Sequence, residues 1–134
     1  MGYRSQVAIA FEKKAFFKHI KDSKDSFKDA DGIQITSDSV LFKWDYTKWY
    51  DDYPDIIAIE RVISDIEDDE NLHDGDYFGF LRVGEENGDI ETRGEPSMFE
   101  IYPVTTVDVE SFKGDKIDPE ELFKPNSIDF IKEE

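Results

Sequence analysis

The stretch that decides the fold is residues 54–66, which read PDIIAIERVISDI. Its isoleucine and valine residues recur every three or four positions, the spacing of the buried face of an amphipathic helix. Proline fits the first turn of a helix, where its missing N–H costs nothing, and this places the cap at Asp52 or Tyr53. The sequence therefore predicts a helix that buries one face and ends in the acidic run 67–70.

Two strands precede this helix in the prediction. Residues 33–35 and 40–44 each alternate between apolar and polar side chains, which is the period of a strand with one buried face. A turn at 37–38 would join the two strands. They are therefore expected to be neighbours in one sheet.

A hairpin is predicted after the helix. Residues 77–84 (YFGFLRVG) indicate a strand, and the Asn-Gly pair at 87–88 is a strong signal for a tight turn back through residues 90–93. With a two-residue turn, Arg82 would face Arg93. The two guanidinium groups would then need a carboxylate between them, for which Glu91 and Glu95 are nearest.

The two ends of the chain complete the order of elements. Residues 5–10 alternate as a strand, residues 11–21 have helical spacing with a lysine-rich outer face, and residues 22–32 form a polar connection. Residues 98–109 are β-prone and interrupted by proline, which favours an edge strand. Asp-Pro-Glu-Glu at 118–121 predicts a short helix.

This order predicts an α+β fold: an antiparallel sheet with two helices on one face, in the ferredoxin-like order βαββαβ, plus an appended C-terminal strand and short helix. We expect a single domain over residues 1–124 and a loosely held C-terminal tail at 125–134. The predicted core is Val7, Ile9, Phe16, Ile20, Phe42, Ile59, Val62, Ile63, Ile66, Phe80 and Val83.

Composition limits the class of protein. The 134 residues include 14% aromatic side chains, enough to build a core. Sixteen Lys and Arg stand against 33 Asp and Glu, which gives a formal net charge of −17. Residues 1–50 hold nine basic and seven acidic side chains, whereas residues 51–134 hold seven and 26. Such a field repels nucleic acid and anionic membranes and attracts basic proteins.

Known catalytic and metal-binding patterns are missing from the sequence. Without cysteine there are no disulfides or thiolate sites, and no export signal or membrane span is visible, so we expect a cytoplasmic protein. The spacing of His19 and His73 matches no metal motif, and the Asp-rich loops 29–32 and 74–76 do not fit an EF-hand. We therefore expect a protein that is not an enzyme and that uses no cofactor or metal.

An aromatic cluster follows the second predicted strand of the pair. Alternation puts Trp44 and Tyr46 on the same side as Phe42, toward the core. Trp49 and Tyr50 are adjacent and must diverge, so at least one is expected to face water or a partner.

Three separated segments carry a resemblance to a known group of proteins. These are the opening MGYRSQV (1–7), KWDYTKWY (43–50) and FLRVGE (80–85), and together they resemble small acidic proteins encoded by bacteriophages, prophages and mobile elements. The resemblance covers residues 1–95 and brings no catalytic motif with it. Several unrelated acidic phage proteins inhibit host defence by imitating the charge of DNA, and this chain is similar to them in composition.

The resulting hypothesis is a phage-type acidic inhibitor in the host cytoplasm. It would bind a basic, nucleic-acid-handling host protein of the defence class by presenting carboxylates where phosphates would sit, without binding nucleic acid or membrane itself. The alternative is a non-inhibitory interaction or assembly protein whose acidity serves solubility only. The candidate partner-binding residues are the aromatic Trp49 and Tyr50 and the acidic Asp65, Glu67, Asp68, Asp69, Glu70, Asp74, Asp76, Glu85, Glu86, Asp89, Glu91 and Glu95.

The acidic end of the second predicted helix offers a test of this hypothesis. Replacing Asp68, Asp69 and Glu70 by amides is expected to slow association with the partner. Folding should be unharmed or improved, because the substitution removes like charges from the negative end of the helix dipole.

Overall fold

A computed structural model describes residues 3–20, 23–69, 77–86, 88–103 and 107–123 of the protein. Short 3-10 helices span Pro96–Phe99 and Glu110–Phe112. The helices are α1 (Lys13–His19), α2 (Lys24–Lys28), α3 (Pro54–Glu67) and α4 (Pro119–Leu122). The strands are β1 (Ser5–Glu12), β2 (Gly32–Ile35), β3 (Ser39–Thr47), β4 (Phe78–Gly84), β5 (Ile90–Gly94), β6 (Tyr102–Pro103), β7 (Val107–Asp108) and β8 (Asp115–Lys116).

The central feature is a six-stranded antiparallel sheet with the order β5-β4-β1-β3-β2-β8. Strands β6 and β7 form a separate two-stranded ribbon. The α+β class and the antiparallel sheet are confirmed. The strand order of the whole sheet differs from the predicted ferredoxin-like order, because β5 and β8 are added at its two edges.

One face of the sheet packs against the helices. Phe16 of α1, Phe27 of α2 and Phe42 of β3 form a cluster in which the ring centroids lie 4.8 to 5.2 Å apart. Aromatic rings at these separations gain contact energy beyond the area that they bury. Helix α3 contributes Ile56, Ile59, Val62, Ile63 and Ile66 to the same apolar core.

The other face of the sheet is covered by the chain that follows β5. Ala8 and Ala10 of β1 are fully buried there, in a second apolar cluster that includes Phe99 and Phe112. The sequence pattern identified only one buried face on β1. Alanine is small enough for a covering segment to approach the strand, and its small side chain gives little periodic signal.

Two boundaries near the N-terminus were predicted wrongly. Phe11 belongs to β1, and α1 begins at Lys13. The predicted polar connection 22–32 contains α2, whose Phe27 is 0% exposed. A five-residue helix with one large apolar side chain is too short to show a helical period.

The prediction of α3 is confirmed, with Tyr53 as its cap and Pro54 in its first turn. The short C-terminal helix also begins as predicted, with Asp118 as its cap. Every predicted core residue is buried except Val83, which is half-buried near the end of β4. The predicted tail at 125–134 lies outside the described residues, and no helix in the described ranges is long and apolar enough to cross a bilayer.

The β4–β5 hairpin forms, but its register was predicted wrongly. Arg82 faces Glu91, and Arg93 faces Phe80 rather than Arg82. The connection is longer than two residues, since the Gly84 N–H donates to the Asp89 carbonyl at 2.8 Å. Asn87 lies outside the described residues.

Candidate partner-binding site

Residues from the segments 3–7, 43–50 and 80–85 meet at one end of the sheet. Strand β1 lies between β3 and β4, so that Ser5 pairs with both Thr47 and Gly84. Next to this pairing, the Arg4 N–H donates to Glu85 Oε2 at 2.5 Å. Residues that are far apart in sequence therefore form one local structure.

A cleft of about 370 Å³ opens at this junction. It lies between the start of β1, the β3–α3 connection and the β4–β5 hairpin. Its lining includes both predicted aromatic residues and two of the predicted acidic ones: Tyr3, Trp49, Tyr50, Asp51, Arg82, Asp89 and Glu91.

The aromatic residues of the β3–α3 region differ in exposure. Trp49 is only 8% exposed, and its ring packs against Trp44 and Phe80 at centroid distances of 5.4 and 5.9 Å. Tyr50 is half-buried. Trp44 is buried as predicted, but Tyr46 is 67% exposed, contrary to the prediction. An irregularity in the β1–β3 register near Ser5 interrupts the alternation just before this point.

Tyr3 fastens the start of β1 to both walls of the cleft. Its N–H donates to the Tyr50 hydroxyl at 2.7 Å, and its own hydroxyl donates to Asp89 Oδ2 at 2.5 Å. The Glu86 N–H donates to the Tyr3 hydroxyl at 2.9 Å. Gly84 leaves room for this cluster, because a Cβ there would force the Asp89 carboxylate and the Tyr3 ring to shift.

Arg82 organises the carboxylates of the hairpin. It donates from Nη2 to Asp89 Oδ1 at 2.8 Å and from Nε to Glu91 Oε1 at 3.0 Å, while Nη1 donates to Ser5 Oγ at 3.1 Å. The hydrogen bonds from Arg82 and Tyr3 lower the pKa of Asp89. The bond to Asp89 in turn raises the pKa of Arg82 and that of Tyr3. The guanidinium is thus engaged within the fold.

Arg93 connects the edge strand β5 to helix α3. Its Nη2 donates to Glu67 Oε1 at 2.8 Å, and its Nη1 contacts Glu60. Partial burial lowers the pKa of Arg93, but the hydrogen bond to Glu67 and the negative charges of Glu60 and Glu67 together raise it above its usual value. The two acidic segments, one at the end of α3 and one on the hairpin, are therefore joined through one arginine.

Asp69 has a structural role that the sequence did not reveal. Its carboxylate oxygen Oδ2 lies 2.7 Å from Lys18 Nζ and 2.7 Å from His19 Nε2, and its side chain is only 7% exposed. This contact ties the end of α3 to α1. The expectation that an Asp68, Asp69 and Glu70 triple substitution would leave folding unharmed is therefore corrected, because Asp69 balances two potential cations.

The remaining predicted acidic residues differ in exposure. Asp65 and Asp89 are half-buried, and Glu70, Asp74 and Asp76 lie outside the described residues. The exposed ones are Glu67, Asp68, Glu85, Glu86, Glu91 and Glu95. Sequence reasoning missed Tyr3, Arg82 and Asp51 as parts of the site, although Tyr3 and Arg82 lie in two of the three segments that carry the resemblance.

Across the described residues, no group of three or more His, Asp or Glu side chains is placed to hold a metal ion. No protein-family model, curated protein or solved structure matches this chain.

Proposed function

We propose that this protein is a phage-type acidic inhibitor that binds a basic, nucleic-acid-handling host protein. The binding surface would be an acidic edge, defined here as the exposed carboxylates at the end of α3 and on the β4–β5 hairpin. Its members are Glu67, Asp68, Glu85, Glu86, Glu91 and Glu95. The observation that supports the proposal most strongly is the contact of Arg93 with Glu67 and Glu60, which brings the two acidic segments together.

The net charge explains how such a surface would act. A chain with a formal charge of −17 steers basic partners toward itself over distances near the Debye length, roughly 8 Å at physiological salt. Duplex DNA carries about one charge per 1.7 Å of axis, so a groove built for phosphates rewards closely spaced carboxylates. Ion pairs to Arg93 and Arg82 hold some of the neighbouring acids in fixed positions.

The likeness to phage proteins supports the biological setting of the proposal. The three segments that resemble phage and mobile-element proteins surround the cleft, beside the hairpin part of the acidic edge. On this proposal the partner is a host protein that handles nucleic acid, in the cytoplasm of the infected cell.

Affinity capture from bacterial lysate tests this proposal. The edge variant carries Asp68→Asn, Glu86→Gln and Glu95→Gln. The control variant carries Glu110→Gln, Asp115→Asn and Glu120→Gln, which changes the net charge equally but alters acids in the chain after β7, including Asp115 on the opposite sheet edge. The wild type and the control variant should capture basic proteins that are released by high salt or by duplex DNA, and the edge variant should capture about tenfold less.

Equal capture by all three proteins, or capture that resists both salt and duplex DNA, would contradict the proposal. Equal capture by all three proteins would favour the alternative of an interaction protein whose acidity serves solubility. If the edge variant binds normally while Tyr50→Ala abolishes capture, the aromatic residues form the interface. The half-buried ring of Tyr50 in the wall of the cleft is the observation that favours this second candidate.

A further inference from the structure

We infer that the cleft beside Trp49 receives an arginine side chain of the basic partner. This inference rests on the proposed function, because it assigns one specific contact to the partner proposed there. It adds a binding site and the chemical group that the site accepts.

The charges that line the cleft favour a cation. Arg82 and Asp89 are joined by two hydrogen bonds, of 2.8 and 3.2 Å, and largely neutralise each other. Two carboxylates remain. Glu91 accepts from Arg82 through Oε1 and keeps its side chain 47% exposed, and Asp51 is exposed. The cleft therefore has a net negative charge at neutral pH.

The aromatic walls favour a guanidinium over other cations. Trp49 and Tyr50 both line the cleft. A guanidinium is planar, stacks on aromatic rings and donates in a fork to carboxylates, whereas an ammonium is compact and more strongly hydrated. The cleft holds one guanidinium, Arg82, against three carboxylates, so two negative charges are in excess. An arginine side chain would stack on a ring and donate to Asp51 and Glu91.

Trp49 supplies an independent indication of a ligand. Its side chain is more than nine-tenths buried in the wall of the cleft, and its indole Nε1–H has no acceptor among the described residues. A buried donor without an acceptor is costly. In the free protein this donor is itself buried, and the ring packs against Trp44 and Phe80, so binding has to shift the ring for the donor to reach a ligand. A residue of a bound peptide offers its main-chain carbonyl as the acceptor, which a metal ion cannot do. The preference for arginine over lysine rests on the aromatic walls and the two carboxylates.

The two tryptophans of the chain make the inference measurable by NMR. The probe is the capped peptide acetyl-Gly-Arg-Gly-amide, and the matched peptides carry citrulline or lysine in place of arginine. We expect a saturable shift of the Trp49 indole N–H resonance and a smaller shift at Trp44, whose ring does not line this cleft. Citrulline has the shape of arginine without its charge, so its peptide should bind at least about tenfold more weakly.

Substitutions distinguish binding in the cleft from attraction by the overall negative charge of the protein. Glu91→Gln keeps an oxygen that can accept from Arg82 and should lower affinity for the arginine peptide about three- to tenfold, as should Asp51→Asn. Asp115→Asn on β8 removes the same charge and should change the affinity by less than about twofold. Thermal melts verify that each variant folds.

Several results would overturn the inference. These are equal shifts of both indole resonances, equal binding of the citrulline or lysine peptide, and an effect of Asp115→Asn as large as that of Glu91→Gln. The inference and the proposed function fail separately. If basic proteins are captured in a salt-sensitive way but the arginine peptide does not bind, only the assignment of the cleft is contradicted. If the peptide binds at Trp49 but no such capture occurs, only the proposed function is contradicted.

Discussion

Asp89 shows how a single residue can serve both fold and site. It lies in the β4–β5 hairpin and accepts from Arg82 of the same hairpin and from Tyr3, which is 86 residues away in sequence. The carboxylate therefore fastens the start of β1 to the hairpin that bounds the cleft. Its contribution should depend on its charge.

The first prediction concerns the pH dependence of this contact. The folded-state pKa of Asp89 is lowered by Arg82 and Tyr3, so its stabilisation is present above its unfolded pKa of about 3.9 and is lost as pH falls through the folded value. Asp89→Asn should reduce the free energy of unfolding by about 1 to 2 kcal/mol at pH 7. The difference from wild type should shrink below about pH 4.

Urea denaturation between pH 3 and pH 7 measures this difference. Asp115→Asn, an exposed position on β8, is the control and should have little effect at either pH. A gap between Asp89→Asn and wild type that stays constant over the whole range would show that the charge of Asp89 is unimportant.

Other single positions show why residue-scale prediction is uneven. Phe27 is 0% exposed although its neighbours in sequence are polar, and Tyr46 is 67% exposed although strand alternation assigned it to the core. Each outcome depends on contacts between distant parts of the chain, which alternation along one segment does not encode.

At the scale of elements, α1 and α3 are joined by charge as well as by apolar packing. Asp69, just beyond the end of α3, contacts Lys18 and His19 of α1. The neighbouring Asp68 is exposed at the cap position of the same helix. The two carboxylates are adjacent in sequence and differ in what surrounds them.

The second prediction compares these neighbours. Asp69→Asn should lower the free energy of unfolding by about 1 to 3 kcal/mol, because it leaves two potential cations without their shared carboxylate. Asp68→Asn should be neutral or stabilising by a few tenths, about 0.3 kcal/mol, because it removes a negative charge from the negative end of the helix dipole. Urea denaturation at pH 7 measures both, and equal effects would contradict the structural role of Asp69.

The register of the β4–β5 hairpin depends on contacts with other parts of the chain. The Asn-Gly pair correctly indicated two paired strands, but the predicted two-residue turn gave the wrong register. The observed register places Arg82 opposite Glu91 and turns Arg93 toward Glu60 and Glu67 on α3. The Asn-Gly pair indicates only a local turn. It does not indicate the ion pairs of Arg82 and Arg93 that accompany the longer connection.

At the scale of the whole molecule, the dominant property is the net charge of −17. Self-repulsion of this size opposes the compact state and is screened by any salt. A specific metal site would act differently, since a ligand bound only by the native state stabilises it in proportion to its affinity.

The third prediction uses this distinction. Thermal melts with EDTA and with millimolar Ca²⁺ should differ by less than about 2 °C once ionic strength is matched with NaCl. A large stabilisation specific to Ca²⁺ would contradict the prediction of a metal-free protein. It would direct attention to the Asp-rich loops at 29–32 and 74–76.

The sequence by itself determined the α+β class, the position of α3 and most of the strands of the six-stranded sheet. Every core residue that it predicted is buried except Val83. These features follow from short-range periodicity, because a helix or strand with one buried face repeats its apolar residues at a fixed interval. The acidic bias and its concentration after residue 50 are likewise explicit in the sequence.

Only the tertiary structure decided what happens between distant segments. It covered the second face of β1 with the chain after β5, set the hairpin register and paired Asp69 with α1. It also closed a cleft from residues near positions 3, 50 and 90. The physical reason is that these contacts join residues far apart in sequence, such as the Val107 N–H and Gln6 Oε1, which are 101 residues apart. No repeating pattern within either segment specifies its partner.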